Sequence, residues 1–282
     1  MENLGPLIGA ETLGGMLDEP QLRIADVRWF LGDENRGRAE YAAGHIPGAV
    51  FVDLDRDLSA SSGPGRHPLP DPVGFADRMG ELGFGDGHSI VVYDSASGTV
   101  AARLWWMLDA LGHADVAVLD GGLTAWTAAG GPVTPLLPTP LRATLTLRAE
   151  WPGIIDRESI VNGEGALDLV DVRAAERYRG DVEPVDRVPG HIPSARNRPV
   201  TSFLDTEGRL LPPDRISVLL RAHGPSADAP MVMSCGNGVA ACFGVLAARV
   251  AGMADPLVYP GSYSDWSSAG LPVATGDETH GE

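Results

Sequence analysis

The chain has 282 residues, of which 44% are hydrophobic and 21% are charged, a composition typical of soluble globular proteins. Its formal net charge of −17 argues against nucleic acid or an anionic membrane as a partner, because both repel an acidic surface. No run of about 18 apolar residues is present to span a membrane, and the N-terminus lacks the features of a secretory signal, so we expect a cytoplasmic protein.

The predicted elements of the first half alternate between short strands and helices. Residues 24–28 read Ile-Ala-Asp-Val-Arg and predict a strand, and Ser89–Tyr93 and Val116–Leu119 predict two more buried strands. Residues 100–111, which lie between the last two, have the length and composition of a helix. Strand–helix–strand units of this spacing predict a parallel sheet that is covered by helices on both faces.

The landmarks of the first half recur in the second half in the same order. Leu-Val-Asp-Val-Arg at 169–173 repeats residues 24–28 with an offset of 145, and Gly-His-Ile-Pro at 190–193 repeats residues 44–47 with an offset of 146. One long period of this kind indicates a tandem duplication rather than a solenoid, whose repeats run to about 20 to 50 residues. We therefore predict two α/β domains of the same fold.

Proline marks the connection between the two predicted domains. Residues 132–152 are rich in proline, which favours an extended linker that packs along the surface. We place the boundary near residue 140, so that residues 1–139 form the N-terminal domain and residues 140–282 form the C-terminal domain.

The loop after a buried strand of the second half carries the clearest chemistry. Met231–Ser234 predicts a strand and residues 239–251 predict a helix, and they are joined by Cys235-Gly236-Asn237-Gly238-Val239-Ala240. The two glycines let the backbone curl so that several N–H groups point inward, and the helix N-terminus adds positive potential. A thiol in this place is expected to be partly ionised at neutral pH and to carry sulfur as an anionic persulfide.

Two interpretations remain open for the cysteines. On one helix Cys235 and Cys242 would lie roughly 10 Å apart, which is too far for a disulfide, and no paired histidines complete a zinc site. Cys235 is therefore either an inert buried thiol or a reactive one, and the flanking glycines favour the reactive thiol. Cys242 is expected to pack in the core.

The corresponding loop of the first half has no cysteine. Asp94 stands where Cys235 stands in the second half, and a carboxylate cannot carry sulfane sulfur, so we expect the N-terminal domain to be catalytically inactive. His45 and His191 each lie in a Gly-His-Ile-Pro turn that both halves keep, which indicates a structural role rather than that of a general base.

Together these motifs resemble the tandem rhodanese-domain sulfurtransferases, which comprise thiosulfate and 3-mercaptopyruvate sulfurtransferases. The resemblance runs from about Leu4 to Val273 and includes the Asp-Val-Arg strands, the Gly-His-Ile-Pro segments and the Cys235 loop. It implies two rhodanese-like domains, of which only the second is catalytic. It also implies a double displacement through a persulfide on Cys235, without a metal or organic cofactor. The implied donors are thiosulfate or 3-mercaptopyruvate, and the acceptors are cyanide or thiols, including those of small redox proteins.

The resemblance further implies which residues bind the donor. Arg177 matches a family arginine that binds the donor anion, and Arg187 is the nearest candidate for a second one. Trp29 matches an aromatic residue that lines the cleft from the N-terminal domain. The rest of the expected site is the loop itself, namely Gly236, Asn237, Gly238, Val239 and Ala240.

The same loop favours one donor over the other. Thiosulfate-type loops resemble Cys-Arg-x-Gly-Val-Thr, whereas mercaptopyruvate-type loops resemble Cys-Gly-Ser-Gly-Val-Thr. Gly236 makes the loop neutral and favours 3-mercaptopyruvate, although Asn237 and Ala240 replace the usual Ser and Thr. Thiosulfate:cyanide sulfurtransfer proper is the alternative activity.

Two alternatives assign another function to the same cysteine loop. A cysteine phosphatase is disfavoured, because no Arg or Lys lies between Cys235 and Arg249 to clamp a phosphate. A persulfide carrier, which loads once and does not turn over, uses the same chemistry at Cys235 and stays open.

Overall fold

The computed structural model describes residues 4–163, 166–222, 224 and 229–277. The chain divides into two compact units, and each unit is discontinuous in sequence. Unit 1 comprises Met1–Ala60, Pro70–Pro152 and Asp205–Leu210. Unit 2 comprises Ser61–Leu69, Gly153–Leu204 and Leu211–Glu282. The grouping therefore differs from a single division near residue 140, since residues 140–152 group with unit 1 and each unit holds a short segment from the other half.

Unit 1 is built on a parallel sheet. Its strands are β1 Leu7–Ile8, β2 Leu22–Asp26, β3 Ala49–Phe51, β4 Ser89–Tyr93 and β5 Val116–Leu119. The order is β1-β5-β4-β2-β3, with parallel pairing throughout. Every residue of the central β4 is buried, because its β-branched and aromatic residues suit a strand that is covered on both faces.

Helices connect these strands, and local sequence explains where they start. They are α1 Ala10–Met16, α2 Arg36–Ala43, α3 Leu54–Asp57, α4 Pro72–Glu81, α5 Ala101–Ala110 and α6 Gly122–Ala128. At α4, Asp71 is the N-cap and accepts a hydrogen bond from the Gly74 N–H at 2.8 Å, and proline fills the first helical position. Tyr93 of β4 and Trp126 of α6 both belong to the hydrophobic core of this unit.

Unit 2 repeats the plan on a shorter sheet. Its strands are β6 Asp168–Asp171, β7 Arg196–Asn197, β8 Met231–Ser234 and β9 Leu257–Val258, in the parallel order β7-β6-β8-β9. Its helices are α7 Arg157–Asn162, α8 Ala175–Arg179, α9 Pro213–Arg221, α10 Val239–Val250 and α11 Ser262–Ser268, with a 3-10 helix at Val200–Phe203. The core includes Tyr178, Tyr263 and Trp266. β8 lies between two partners, so the loop that follows it begins at the carboxyl edge of the sheet.

The α/β fold with two parallel sheets is confirmed, and so are the strands at Ser89–Tyr93, Val116–Leu119 and Met231–Ser234. The strand predicted at residues 24–28 ends two residues earlier, at Asp26. Arg28 turns back there, donating its backbone N–H to Asp26 Oδ1 at 3.1 Å and placing Nη2 2.7 Å from Oδ2. The buried pair of Arg173 and Asp171 ends β6 in the same way.

The histidines of the Gly-His-Ile-Pro turns contact backbone groups and aromatic rings. His45 Nδ1 lies 2.8 Å from the Tyr41 carbonyl oxygen, and the two rings stack with centroids 4.1 Å apart. His191 makes the same pair of contacts with Tyr178. These contacts hold a helix end against the turn in each unit, which supports a structural role for both histidines.

Candidate active site

Cys235 lies between the end of β8 and the start of α10, at the carboxyl edge of the sheet of unit 2. The residue is only 1% exposed. Its Sγ accepts a hydrogen bond from the backbone N–H of Gly238 at 3.1 Å. Asn237 Oδ1 and Ser262 Oγ each lie 3.8 Å from the same sulfur. Because an N–H group aimed at sulfur favours negative charge on it, the loop suits a thiolate or a persulfide anion.

The loop needs glycine at position 238. Gly238 has a φ of +81°, in the left-handed region, and an added Cβ would lie 2.2 Å from the Pro260 carbonyl oxygen. The backbone can therefore aim its N–H at Cys235 only where no side chain is present. This requirement explains one of the two glycines that mark the loop in the sequence.

The residues that begin α11 fix the backbone of Cys235 and its neighbour. Tyr263 donates its N–H to the Cys235 carbonyl oxygen at 3.0 Å, and Ser264 donates to that of Gly236 at 2.9 Å. Ser262 Oγ accepts the Cys235 N–H at 3.0 Å and donates to the Tyr259 carbonyl oxygen at 2.9 Å. Ser262 therefore holds the nucleophile in place, although the sequence analysis did not single it out.

Segment 61–69 belongs to unit 2 and supplies two residues that the sequence analysis missed. The side chain of His67 is buried, and its Nδ1 lies 2.6 Å from Asn237 Nδ2, so the amide donates and the imidazole accepts. Asn237 Oδ1 also accepts the Val239 N–H at 3.4 Å. Arg66 donates its backbone N–H to Ser264 Oγ at 3.1 Å and its guanidinium to the Gly236 carbonyl oxygen at 3.4 Å.

Two arginines and two carboxylates form a charged cluster beside the loop. Arg177 Nη2 lies 2.7 Å from Glu183 Oε1 and 3.5 Å from Asp186 Oδ2. Arg66 forms an ion pair with the other oxygen of Asp186. An added Cβ on Gly236 would lie 3.5 Å from Arg177 Nη1, so the structure brings this predicted residue to the loop that carries Cys235.

The two carboxyl groups of the cluster respond differently to their surroundings. Burial alone would raise the pKa of Glu183, but hydrogen bonds from the Asp186 and Val185 N–H groups and from Arg177 bring it below its ordinary value. Burial raises the pKa of Asp186, and the negative charge of Glu183 adds to that effect, while Arg66 and Arg177 oppose it. Glu183 is thus the more firmly held anion of the two.

The other expected site residues lie in different parts of the fold. Val239 and Ala240 form the first turn of α10, directly after the loop. Arg187 is exposed and lines a cavity of about 630 Å³ together with Arg66 and Val188. Trp29 lies in unit 1, where its indole N–H donates to Asp55 Oδ2 at 2.9 Å.

The equivalent loop of unit 1 is filled by its own carboxylate. Asp94 follows β4 as Cys235 follows β8. Its oxygens accept four backbone hydrogen bonds, from the N–H groups of Ala96, Gly98, Val100 and Ala101 at 3.1, 2.9, 2.8 and 3.3 Å. A loop of this kind therefore stabilises an anion at the position that Cys235 occupies in unit 2.

Within the described residues, no group of three or more His, Cys, Asp and Glu side chains is arranged to hold a metal ion. No helix in that same part of the chain is both long and apolar enough to cross a membrane.

Comparison with known proteins identifies the relatives of this chain. The Rhodanese-like domain family matches it twice, at residues 9–129 and 158–269. A Pseudomonas aeruginosa protein named "Probable 3-mercaptopyruvate sulfurtransferase" is 42% identical over 96% of this chain and 98% of its own length. A thiosulfate sulfurtransferase from Gallus gallus is 35% identical over 87% of this chain and 86% of its own. The crystal structure of SseA from Escherichia coli, described as a 3-mercaptopyruvate sulfotransferase, is 33% identical with a TM-score of 0.81, and covers 93% of this chain and 100% of its own.

Proposed function

Because this chain belongs to the rhodanese family of sulfurtransferases, we propose that it transfers sulfane sulfur through a persulfide on Cys235. The observation that carries the proposal is the hydrogen bond of 3.1 Å from the Gly238 N–H to Cys235 Sγ. This contact favours a sulfur that is anionic before the transfer, and a persulfide formed on it stays within reach of the same loop. The four N–H groups that hold Asp94 in unit 1 support this interpretation of the loop.

The reaction proceeds in two displacements. The Cys235 thiolate attacks the thiol sulfur of 3-mercaptopyruvate, or the outer sulfur of thiosulfate, and forms an S–S bond. The donor's C–S bond in 3-mercaptopyruvate, or its S–S bond in thiosulfate, breaks at the same time. With 3-mercaptopyruvate the electron pair of the broken bond leaves with the enolate of pyruvate, which then takes a proton from water. With thiosulfate the electron pair leaves with sulfite. Cyanide or a thiolate then attacks the outer sulfur of the persulfide, and the electron pair of the broken S–S bond returns to Cys235.

Arginine side chains bind the anionic group of the donor. Arg177 is the first of these, since its guanidinium lies beside Gly236 and its fork suits a carboxylate or a sulfonate. Arg187, exposed on the adjoining cavity, is the second. The loop residues from Gly236 to Ala240 complete the proposed donor site.

The preferred donor is 3-mercaptopyruvate, because Gly236 leaves the loop without a charge of its own. Asn237 stands in place of the usual Ser, and its side-chain amide donates to His67 Nδ1 at 2.6 Å. Thiosulfate remains the alternative donor, and relatives with either name match this chain.

The acceptors are cyanide or thiols, including those of small redox proteins. Both cysteines are free, which suits a cytoplasmic setting where thiols stay reduced. The N-terminal domain, with Asp94 in place of cysteine, is not catalytic. A carrier that loads once and then stalls is the second candidate, because the same persulfide serves both roles.

The test is thiocyanate formation from cyanide with 3-mercaptopyruvate and thiosulfate at matched concentrations. Cys235→Ser should abolish turnover, whereas Cys242→Ser, which changes a buried cysteine in α10, should keep it. A faster reaction with thiosulfate would overturn the donor preference. A single round of loading without turnover would favour the carrier, and activity in the Cys235→Ser variant would exclude Cys235 as the nucleophile.

A further inference from the structure

The residue that follows the nucleophile has no side chain, but two guanidinium groups lie beside it. An added Cβ on Gly236 would lie 3.2 Å from Arg66 Nη2 and 3.5 Å from Arg177 Nη1. The Arg66 guanidinium also donates to the Gly236 carbonyl oxygen at 3.4 Å. A loop that is neutral in its own sequence therefore has two positive charges next to the residue after Cys235.

Arg66 is held in place by its backbone and not by an ion pair alone. Its N–H donates to Ser264 Oγ at 3.1 Å, and a Cβ on the preceding Gly65 would lie 2.5 Å from the Gly261 carbonyl oxygen. Segment 61–69 therefore lies directly against the residues that begin α11. Because these contacts do not involve the guanidinium, the head group can exchange partners while the backbone stays in position.

Within the described part of the chain, the carboxylate that pairs with Arg66 is held only by arginines. Among the described residues, the Asp186 carboxylate accepts hydrogen bonds from Arg66 and Arg177 alone. Glu183, by contrast, is anchored by the backbone N–H groups of Val185 and Asp186, each at 3.0 Å. Asp186 is thus the anion that a competing carboxylate or sulfonate can displace, since no backbone group retains it.

We propose that Arg66 is a donor-binding residue, whose guanidinium joins that of Arg177 to take the anionic group of the sulfur donor, and that Asp186 occupies Arg66 until the donor displaces it. The ligand class is a small carboxylate or sulfonate anion. The proposal rests on the sulfurtransferase function proposed above.

Arg66 and Asp186 then form an ion pair in the free protein, whereas Asp186 competes with the donor anion for Arg66 during binding. Loss of the Arg66 charge should weaken anion binding at the loop, whereas loss of the Asp186 charge should strengthen it. An ion pair that served only to hold the loop would give the same defect from either side. The direction of the two effects therefore separates the two roles.

The experiment measures alkylation of Cys235 by anionic iodoacetate and by neutral iodoacetamide in the full-length protein, with Cys235→Ser as the labelling control. The ratio of the two rates reports the local positive charge. Arg66→Gln should lower the ratio roughly five- to thirtyfold, and Arg66→Lys should lower it less, because lysine keeps the charge. Asp186→Asn should raise it. Arg179→Gln is the matched control, because Arg179 pairs with exposed Asp181 at 2.8 Å, and the ratio should not change.

The proposal fails if Arg66→Gln leaves the ratio unchanged, or if Arg66→Gln and Asp186→Asn shift it in the same direction. If Arg66→Gln does not fold, Arg66→Lys and Asp186→Asn still give opposite predictions. Alkylation requires no sulfur transfer, so the two proposals can fail separately. If the wild-type protein turns over no donor while the two variants still shift the ratio in opposite directions, the proposed function is overturned and the anion site stands. Where turnover occurs, Arg66→Gln should raise the donor KM roughly ten- to hundredfold and leave kcat nearly unchanged.

Discussion

Replacing Gly238 with alanine should damage the active loop far more than its size suggests. The left-handed backbone at φ +81° destabilises a residue with a Cβ by about 1 to 2 kcal/mol. The Cβ would also lie 2.2 Å from the Pro260 carbonyl oxygen, which is backbone and cannot turn away. The loop must therefore move, and with it the N–H that Gly238 donates to Cys235 Sγ.

Gly252 supplies the matched control for this variant. It lies in the same unit with a φ of +68°, and apart from its chain neighbours no described residue comes within 4 Å of an added Cβ. Gly252→Ala should therefore lose only the conformational contribution of about 1 kcal/mol. The difference between the two variants isolates the contact with Pro260 and the position of the loop.

Two measurements check the prediction. Urea unfolding should show Gly238→Ala to be less stable than Gly252→Ala. Single-turnover persulfide formation, followed by mass spectrometry and by cyanolysis, should slow roughly ten- to hundredfold in Gly238→Ala, because the thiolate form of Cys235 loses a hydrogen bond. If Gly238→Ala forms persulfide as fast as Gly252→Ala, the N–H of residue 238 does not serve the chemistry and the reasoning is refuted.

Two further predictions concern residues away from the sulfur. Asp94→Ala should lower the free energy of unfolding by roughly 3 kcal/mol, because it removes the carboxylate to which the loop N–H groups donate. Thiocyanate formation should stay intact, and loss of turnover in a folded variant would contradict the inactive assignment of unit 1. Burial raises the pKa of Tyr263 to about 12, above the value of about 10 for an unfolded tyrosine. The stability that the protonated Tyr263 contributes is therefore present below pH 10 and is lost as the pH rises from 10 to 12. Tyr263→Phe should make that decline shallower. Unfolding free energies across this range test the prediction without interference from lysine, since the chain has none and the 21 residues counted as Lys or Arg are all arginine. An unchanged slope would refute the assignment.

The parts of the site that depend on local sequence could be predicted from it. The apolar run of β8, the glycines of the loop and the helical pattern of α10 are neighbours in the chain, so they place Cys235 between strand and helix. The repeat allowed the same inference for Asp94, which occupies the equivalent position after β4.

The residues that the sequence analysis missed are those brought to the loop by distant contacts. His67 reaches Asn237 and Arg66 reaches Gly236 across 170 residues, from a segment rich in Gly, Ser and Pro that has no strand or helix pattern. Ser262 is the first residue of α11, and none of the motifs singled out in the sequence assigns it a role beside the cysteine. No periodicity or spacing links such residues to a cysteine, because only the tertiary fold makes them neighbours.

The charged cluster beside the loop could be predicted only in part. Arg177 was predicted from the resemblance and lies at the loop, but its carboxylate partners Glu183 and Asp186 were not, because nothing in a run of alternating charges shows which residues turn inward. Arg187, in the same run, points to the surface.

Segment 61–69 also bears on how the chain acquires its structure during synthesis. This segment leaves the ribosome long before the Cys235 loop and α11, the partners against which it lies. Residues 205–210 belong to unit 1 but are synthesised after much of unit 2. Within unit 1, Asp120 accepts a hydrogen bond from the Leu210 N–H at 3.0 Å. Neither unit can therefore be completed as one continuous stretch of nascent chain, and a fragment of residues 140–282 would emerge without Arg66 and His67.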